Sequence, residues 1–367
     1  MQDNKPFDIR ELSEIYDENN QDVYLSLYVD LVDKEHNLHI KRRTNAIKAT
    51  IKNRDRKQAF EKAIELALDK VHNLEKGYPS AAIFLHIEDG FMQVGGLGAR
   101  IPTKLVLDAS PYILPLAKFN DDYESFILVL IDGQRSEIHV IENAEAEQVG
   151  EDSHTSIGRH KKGGWSQARY SRIREGVVQR FYDRTSEQVD NVIRENGNLR
   201  IIIAGPGNAK QQFQERLSSK AKELVVSLED IDMDSVPPNQ IFRKFVETAK
   251  QDEADKEIEY IEKFKSKIMT GSSASTGIYE VLDAAATGRL ETLLVLEGHS
   301  IAGKKCEPCN EYMKGPTIPC SQCESDGNEV DLVNEAVEAA IRISAHVEFT
   351  DNEYLEEIGG IAALLRW

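Results

Sequence analysis

The sequence predicts a mixed α/β protein of three domains, the last interrupted by a ribbon-like excursion. Three observations carry this. Short apolar runs bounded by turn residues alternate with stretches of helical period along the chain. At 367 residues it should hold two or three domains, each with its own core. All four cysteines fall in one short stretch near the end.

The first domain is expected over residues 1–120. Val23 to Val29, VYLSLYV, reads as a strand, and Lys41 to Leu74 as helical, with Ala59, Ala63, Leu66, Ala67 and Val71 at helical spacing. Ala81–Ile87 and Phe91–Val94 flank Glu88-Asp89-Gly90, a hairpin turn signal. The second domain, 121–250, opens with FILVLIDG and EIHVIE, a second hairpin, followed by a basic loop. Ser166 is suited to cap the next helix, along which Ile173, Val177, Phe181, Val189 and Val192 trace an apolar stripe. LRIIIAGPG is then a buried strand and turn. Its AGPGNAK ending lacks the spacing and the Ser or Thr of a phosphate-binding loop. In the third domain, 251–367, a charged helix ending near Met269 precedes GSSASTG, expected as a flexible loop. A helix at Ile278–Ala286, a strand at Thr292–Leu296, the cysteine excursion, a helix at Val330–Ala340 and a strand at Ala345–Phe349 complete it.

Composition excludes several classes. Hydrophobic content of 40% with 29% charged residues describes an ordered chain. No apolar run approaches the roughly 20 residues of a membrane span. The start, MQDNKPFDIRELSEIYDENN, has no signal-peptide core, so a cytoplasmic location without membrane contact is expected. A net charge of −18 argues against a general nucleic-acid coat but leaves room for a local basic contact.

That contact is expected at GRHKKGGWSQARYSRIR, Gly158 to Arg174. Between Arg159 and Arg184 there are eight Lys or Arg against Glu175 and Asp183, a reversal suited to a polyanion. Gly163 and Gly164 permit close backbone approach. Gln167 offers donors and an acceptor but no titrating group, so it positions water or substrate without acting as a strong base. A solvated loop with a basic helix start fits the same composition.

Cys306 and Cys309 form one C-x-x-C turn, Cys320 and Cys323 the other, with ten residues between. This is zinc-ribbon-like spacing, presenting four thiolates to one tetrahedral ion and leaving no open position, which makes the site structural. Two disulfides are the competing reading, disfavoured in a reducing compartment. An RNA-binding knuckle would rest on Lys304, Lys305 and Lys314 alone.

These segments together resemble the archaeal and eukaryotic class-I peptide chain release factors. The resemblance lies in VYLSLYVD (Val23–Asp30), LVLIDGQ (Leu128–Gln134), GRHKKGGWSQARYSRIRE (Gly158–Glu175), GIYEVLDAAATGRLETLLVLE (Gly277–Glu297) and the ending GGIAALLRW, with paired C-x-x-C turns in the last domain. It implies a ribosomal partner, with Gly163 and Gly164 entering the peptidyl-transferase centre and Gln167 orienting water against the ester of peptidyl-tRNA. Arg159, Lys161, Lys162, Arg169 and Arg172 would contact rRNA or tRNA phosphates, and Trp165 would stack on a base or pack on its own domain. His160 titrates in a range suited to acid–base work, but family members hydrolyse through the glutamine loop. The resemblance leaves open delivery by a translational GTPase through the C-terminal domain.

Two departures redirect the expected function. Stop-codon release factors carry Gly-Gly-Gln without interruption, whereas Trp165 and Ser166 intervene here. GGWSQ is similar to the release-factor-like peptidyl-tRNA hydrolases of ribosome quality control. The first domain also has no cysteine for a Tyr-x-Cys motif, and its nearest string to Asn-Ile-Lys-Ser, TNAIKA (Thr44–Ala49), falls in a predicted helix. Codon-independent hydrolysis on stalled ribosomes or subunits is therefore expected. A stop-codon-dependent termination factor and a non-catalytic surveillance adaptor are the alternatives.

Overall fold

The computed structural model describes residues 7–17, 22–74, 77–123, 125–142, 145–154, 165–233, 245, 256–271, 273–306, 309, 311–313 and 319–367. The fold is mixed α/β, with four sheets. It divides into two compact units, Met1–Asp122 with Gln251–Trp367, and Tyr123–Lys250.

The N-terminal segment runs α1 (Ile9–Glu14), β1 (Tyr24–Asp30), α2 (His36–Thr50), α3 (Arg54–His72), β2 (Ser80–His86), β3 (Met92–Leu97), β4 (Lys104–Asp108) and α4 (Leu114–Asp122). β1 is buried along its whole length because it lies inside the antiparallel sheet β3-β2-β1-β4. The stretch expected as one helix is two. Asn53 breaks it, its side chain accepting from Asp55 N and Arg56 N at 2.8 and 3.1 Å while its backbone is extended. Of the apolar stripe expected along it, Ala63 and Ala67 pack with Phe60 and Ile64 onto Leu25, Leu27 and Ile83, and Val71 lies against the same cluster, whereas Leu66 is 44% exposed and falls outside it.

The middle unit contains β5 (Phe126–Ile131), β6 (Arg135–Glu142), β7 (Glu145–Ser153), α5 (Trp165–Asn196), β8 (Arg200–Ala204), α6 (Ala209–Arg216), α7 (Ser219–Glu223) and β9 (Val225–Glu229). Its sheet has the order β7-β6-β5-β8-β9, antiparallel on the β6 side and parallel on the β8 side. Phe181, Tyr182, Val189, Val192 and Ile193 of α5 cover one face, whereas Ile173 is 42% exposed and stands outside the stripe expected for it. α5 packs from Val178 onward, and its side chains from Arg172 to Glu175 are exposed.

The C-terminal segment contains α8 (256–269), β10 (Ala274–Thr276), α9 (Ile278–Ala286), β11 (Leu290–Leu296), β12 (Ala302–Cys306), β13 (Glu311–Met313), β14 (Asn328–Asp331), α10 (Leu332–Arg342), β15 (His346–Thr350), α11 (Glu353–Glu357) and β16 (Ile361–Leu365). The main sheet is β10-β16-β11-β15. Part of the expected loop GSSASTG is β10, held by pairing with β16 from Ala274↔Leu364 to Thr276↔Ala362. A separate antiparallel sheet, β13-β12-β14, carries the cysteine excursion.

Within this unit α10 joins the two segments. Asn334 Oδ1 accepts from Ile113 N and Leu114 N at 3.1 and 3.0 Å, Ser110 Oγ donates to Glu338 at 3.2 Å, and Arg342 donates to Ser13 O at 2.7 Å. Among the described residues no helix is long and apolar enough to cross a membrane.

Candidate functional site

The basic loop joins β7 to α5. Arg159, Lys161, Lys162, Gly163 and Gly164, with His160, lie outside the described residues. α5 begins at Trp165, so Ser166 falls inside the first turn and not at the cap expected for it. Gln167 occupies that same turn, whose backbone N–H groups lack intrahelical partners and whose dipole favours negative charge. Arg169 and Arg172 follow along the same helix. Arg172 is exposed.

The helix behind this turn is firmly placed. Arg184 forms a two-point contact with Asp152 at the end of β7, at 2.9 and 3.2 Å, and Ser136 Oγ meets Thr185 Oγ1 at 3.0 Å in the core.

The second motif of this unit is structural. Lys210 of AGPGNAK is buried, donates to Gly205 O and Gly207 O at 3.3 and 2.8 Å, and pairs with Asp230. Its charge is consumed inside the fold. Gly205 is required because a Cβ there would fall 1.8 Å from Ile131 O.

The four cysteines converge. All are free thiols, with Cys306 and Cys320 buried, Cys309 partly buried and Cys323 exposed, and their Sγ atoms lie within 4.8 Å of one another. Cys306 and Cys323 approach to 3.3 Å. A tetrahedral ion with metal–sulfur bonds of about 2.3 Å separates its ligands by about 3.8 Å, so the cluster fits a metal ion. The crowding shows in the thiols. A hydrogen bond with Cys323 pushes Cys309 up to about 12, whereas a backbone donor from Ser325 lowers Cys323. Gly315 and Pro316 of the expected turning connection lie outside the described residues, as does Lys314.

The lysine next to the first cysteine has a structural task. Lys305 is 6% exposed, donates to Glu335 at 2.9 Å and stands 4.5 Å from the centre of the Tyr16 ring. Tyr312 OH donates to the same carboxylate at 2.8 Å. Lys305 is thus unavailable to RNA, and the support for an RNA-binding knuckle falls accordingly. Glu335 and Tyr312 carry no motif by which sequence reasoning could have found them.

Residues 111–250 match the family described as Bacterial archaeo-eukaryotic release factor family 10, and residues 254–367 match eRF1 domain 3. Among curated proteins, the peptide chain release factor subunit 1 of Archaeoglobus fulgidus is 24% identical over 283 residues, covering 71% of this chain and 70% of the relative. That of Methanobrevibacter smithii is 22% identical over 358 residues, covering 87% and 86%. Among solved structures, a model of ribosome-bound archaeal Pelota and ABCE1 aligns at 20% identity over 78% of this chain and 77% of that chain, with a TM-score of 0.43. With two successive release-factor families spanning nearly all of residues 111–367, and the subunit 1 relatives extending the match toward the N-terminus, the chain belongs to the archaeal and eukaryotic release-factor superfamily.

Proposed function

We propose that this protein is a ribosome-dependent peptidyl-tRNA hydrolase that frees nascent chains from stalled ribosomes or large subunits without reading a stop codon. The observation that carries the reading is the sequence Gly163-Gly164-Trp165-Ser166-Gln167, whose last three residues open α5, inside the segment that matches a release-factor family. A peptidyl-tRNA ester is already activated, so excluding bulk water and orienting one molecule against the carbonyl supplies much of the acceleration. Gln167 does the orienting, Gly163 and Gly164 let the backbone approach, and Trp165 stacks on a base of the tRNA end. Arg159, Lys161, Lys162, Arg169 and Arg172 hold rRNA and tRNA phosphates.

The remaining parts are assigned by the same reading. The chain works as three domains, 1–120, 121–250 and 251–367. One structural zinc ion sits on Cys306, Cys309, Cys320 and Cys323. A translational GTPase contacts the C-terminal domain, and the protein is cytoplasmic.

The names of the curated relatives favour a second reading, stop-codon-dependent termination. Against it stand the interrupted glutamine motif and the first segment, which lacks cysteine and places Thr44–Ala49 within α2.

Gln167→Ala tests the catalytic assignment. Hydrolysis should fall at least about tenfold, since loss of one positioned donor costs about a hundredfold or more, with ribosome binding near wild type. Replacing Arg169 and Arg172 with Ala should do the reverse, weakening binding in a salt-dependent way. Wild-type release by Gln167→Ala would remove the glutamine from the mechanism.

A further inference from the structure

Asp121, His346 and Glu348 bring one imidazole nitrogen and two carboxylate oxygens within 4.8 Å of one another. Asp121 lies in the last turn of α4, while His346 and Glu348 are alternate residues of the edge strand β15 and share one face of it. His346 Nε2 is 3.0 Å from Glu348 Oε2. Asp121 Oδ2 accepts from Phe349 N at 2.8 Å, which fixes that carboxylate against the strand.

The Glu348 side chain is only 2% exposed, and outside the triad it has no hydrogen-bond or ion-pair partner among the described residues. A carboxylate so buried keeps its charge only beside a cation or several donors. Lys118 is engaged by Asp122 and Glu297. The last turn of α4 has no basic residue, so the negative end of its dipole adds to the two aspartates there.

We propose that Asp121, His346 and Glu348 bind one divalent ion of the zinc, manganese or iron class, clasping the end of α4 to β15. An imidazole with two carboxylates suits such an ion, whereas calcium and magnesium sites are built from oxygens alone. His346, 36% exposed, gives the ion a path from solvent. Three protein ligands leave the other positions to water. The cysteine cluster is a separate centre, with soft thiolate ligands and no atom in common.

The test uses the full chain with its cysteine site loaded with zinc, dialysed in turn against Zn²⁺ and Mn²⁺. One further equivalent should bind, raising the melting temperature. His346→Ala and Glu348→Gln should each weaken that second equivalent at least about tenfold and abolish the shift while retaining the first zinc. A chain that takes up one metal only with either ion overturns the proposal, as do variants that bind the second as tightly as wild type. In both cases the triad is a plain His–Glu ion pair beside an aspartate. His346 is partly exposed, so its variant remains informative if Glu348→Gln does not fold.

Discussion

Lys305 Nζ lies 2.9 Å from Glu335 Oε2, with both side chains buried and Cys306 the next residue along β12. The cysteine excursion is therefore tied to α10, the helix that also engages Ser110, Ile113 and Ser13 of the N-terminal segment.

Lys305→Ala leaves Glu335 buried without its cation, a change that typically costs about 3–5 kcal/mol. The melting temperature should fall sharply. Lys305→Met with Glu335→Leu removes both charges and should lose much less. Equal losses in single and double variants, measured by thermal unfolding, would show that the pair contributes only packing.

The cysteine centre should carry one zinc per chain that resists dialysis, giving two bound ions in all when the Asp121 site is also loaded. Cys306→Ser should lower the tightly held zinc below one per chain and loosen β12–β14, while peptide release by the Gln167 turn persists, because that turn belongs to the other compact unit. Mass spectrometry finding Cys306 and Cys309 in disulfides would contradict the centre.

Burial, and then Glu335, push the Glu338 carboxyl up to about 8, and burial pushes Asp108 to about 7. In each case the folded state holds its proton at a pH where the unfolded chain has released it. Stability should then decline as pH rises from near 4 toward 8, since the folded state binds more protons across that window. Glu338→Gln should flatten the decline by at least about 1 kcal/mol between pH 5 and pH 8. An unchanged slope in denaturant titrations at several pH values would show that Glu338 is ionised throughout.

What the sequence discloses depends on where each element draws its stability. β1 and β5 are legible because they are central strands whose burial demands continuous apolar runs. β7, EAEQVGEDS, is an edge strand held by main-chain pairing to β6, so its polar sequence carries no strand signal. β10 is three residues long and exists only because β16 pairs with it. The break at Asn53 leaves a cap signature, Asn followed by Asp55, yet the flanking helical periodicity conceals it. The same contrast holds for the sites. The cysteine cluster is legible because local spacing defines it, whereas Lys305–Glu335 and Asp121–His346–Glu348 are assembled by tertiary packing between distant residues.

Peptide release from ribosomes carrying peptidyl-tRNA, with a stop codon, a sense codon or no codon in the A site, tests the central claim most directly. The account predicts release at nearly the same rate in all three, abolished or strongly slowed in each by Gln167→Ala. A stop-codon preference of about tenfold, equivalent to about 1.4 kcal/mol of discrimination, would make the protein a termination factor, and absence of release in all three would make it a non-catalytic binder.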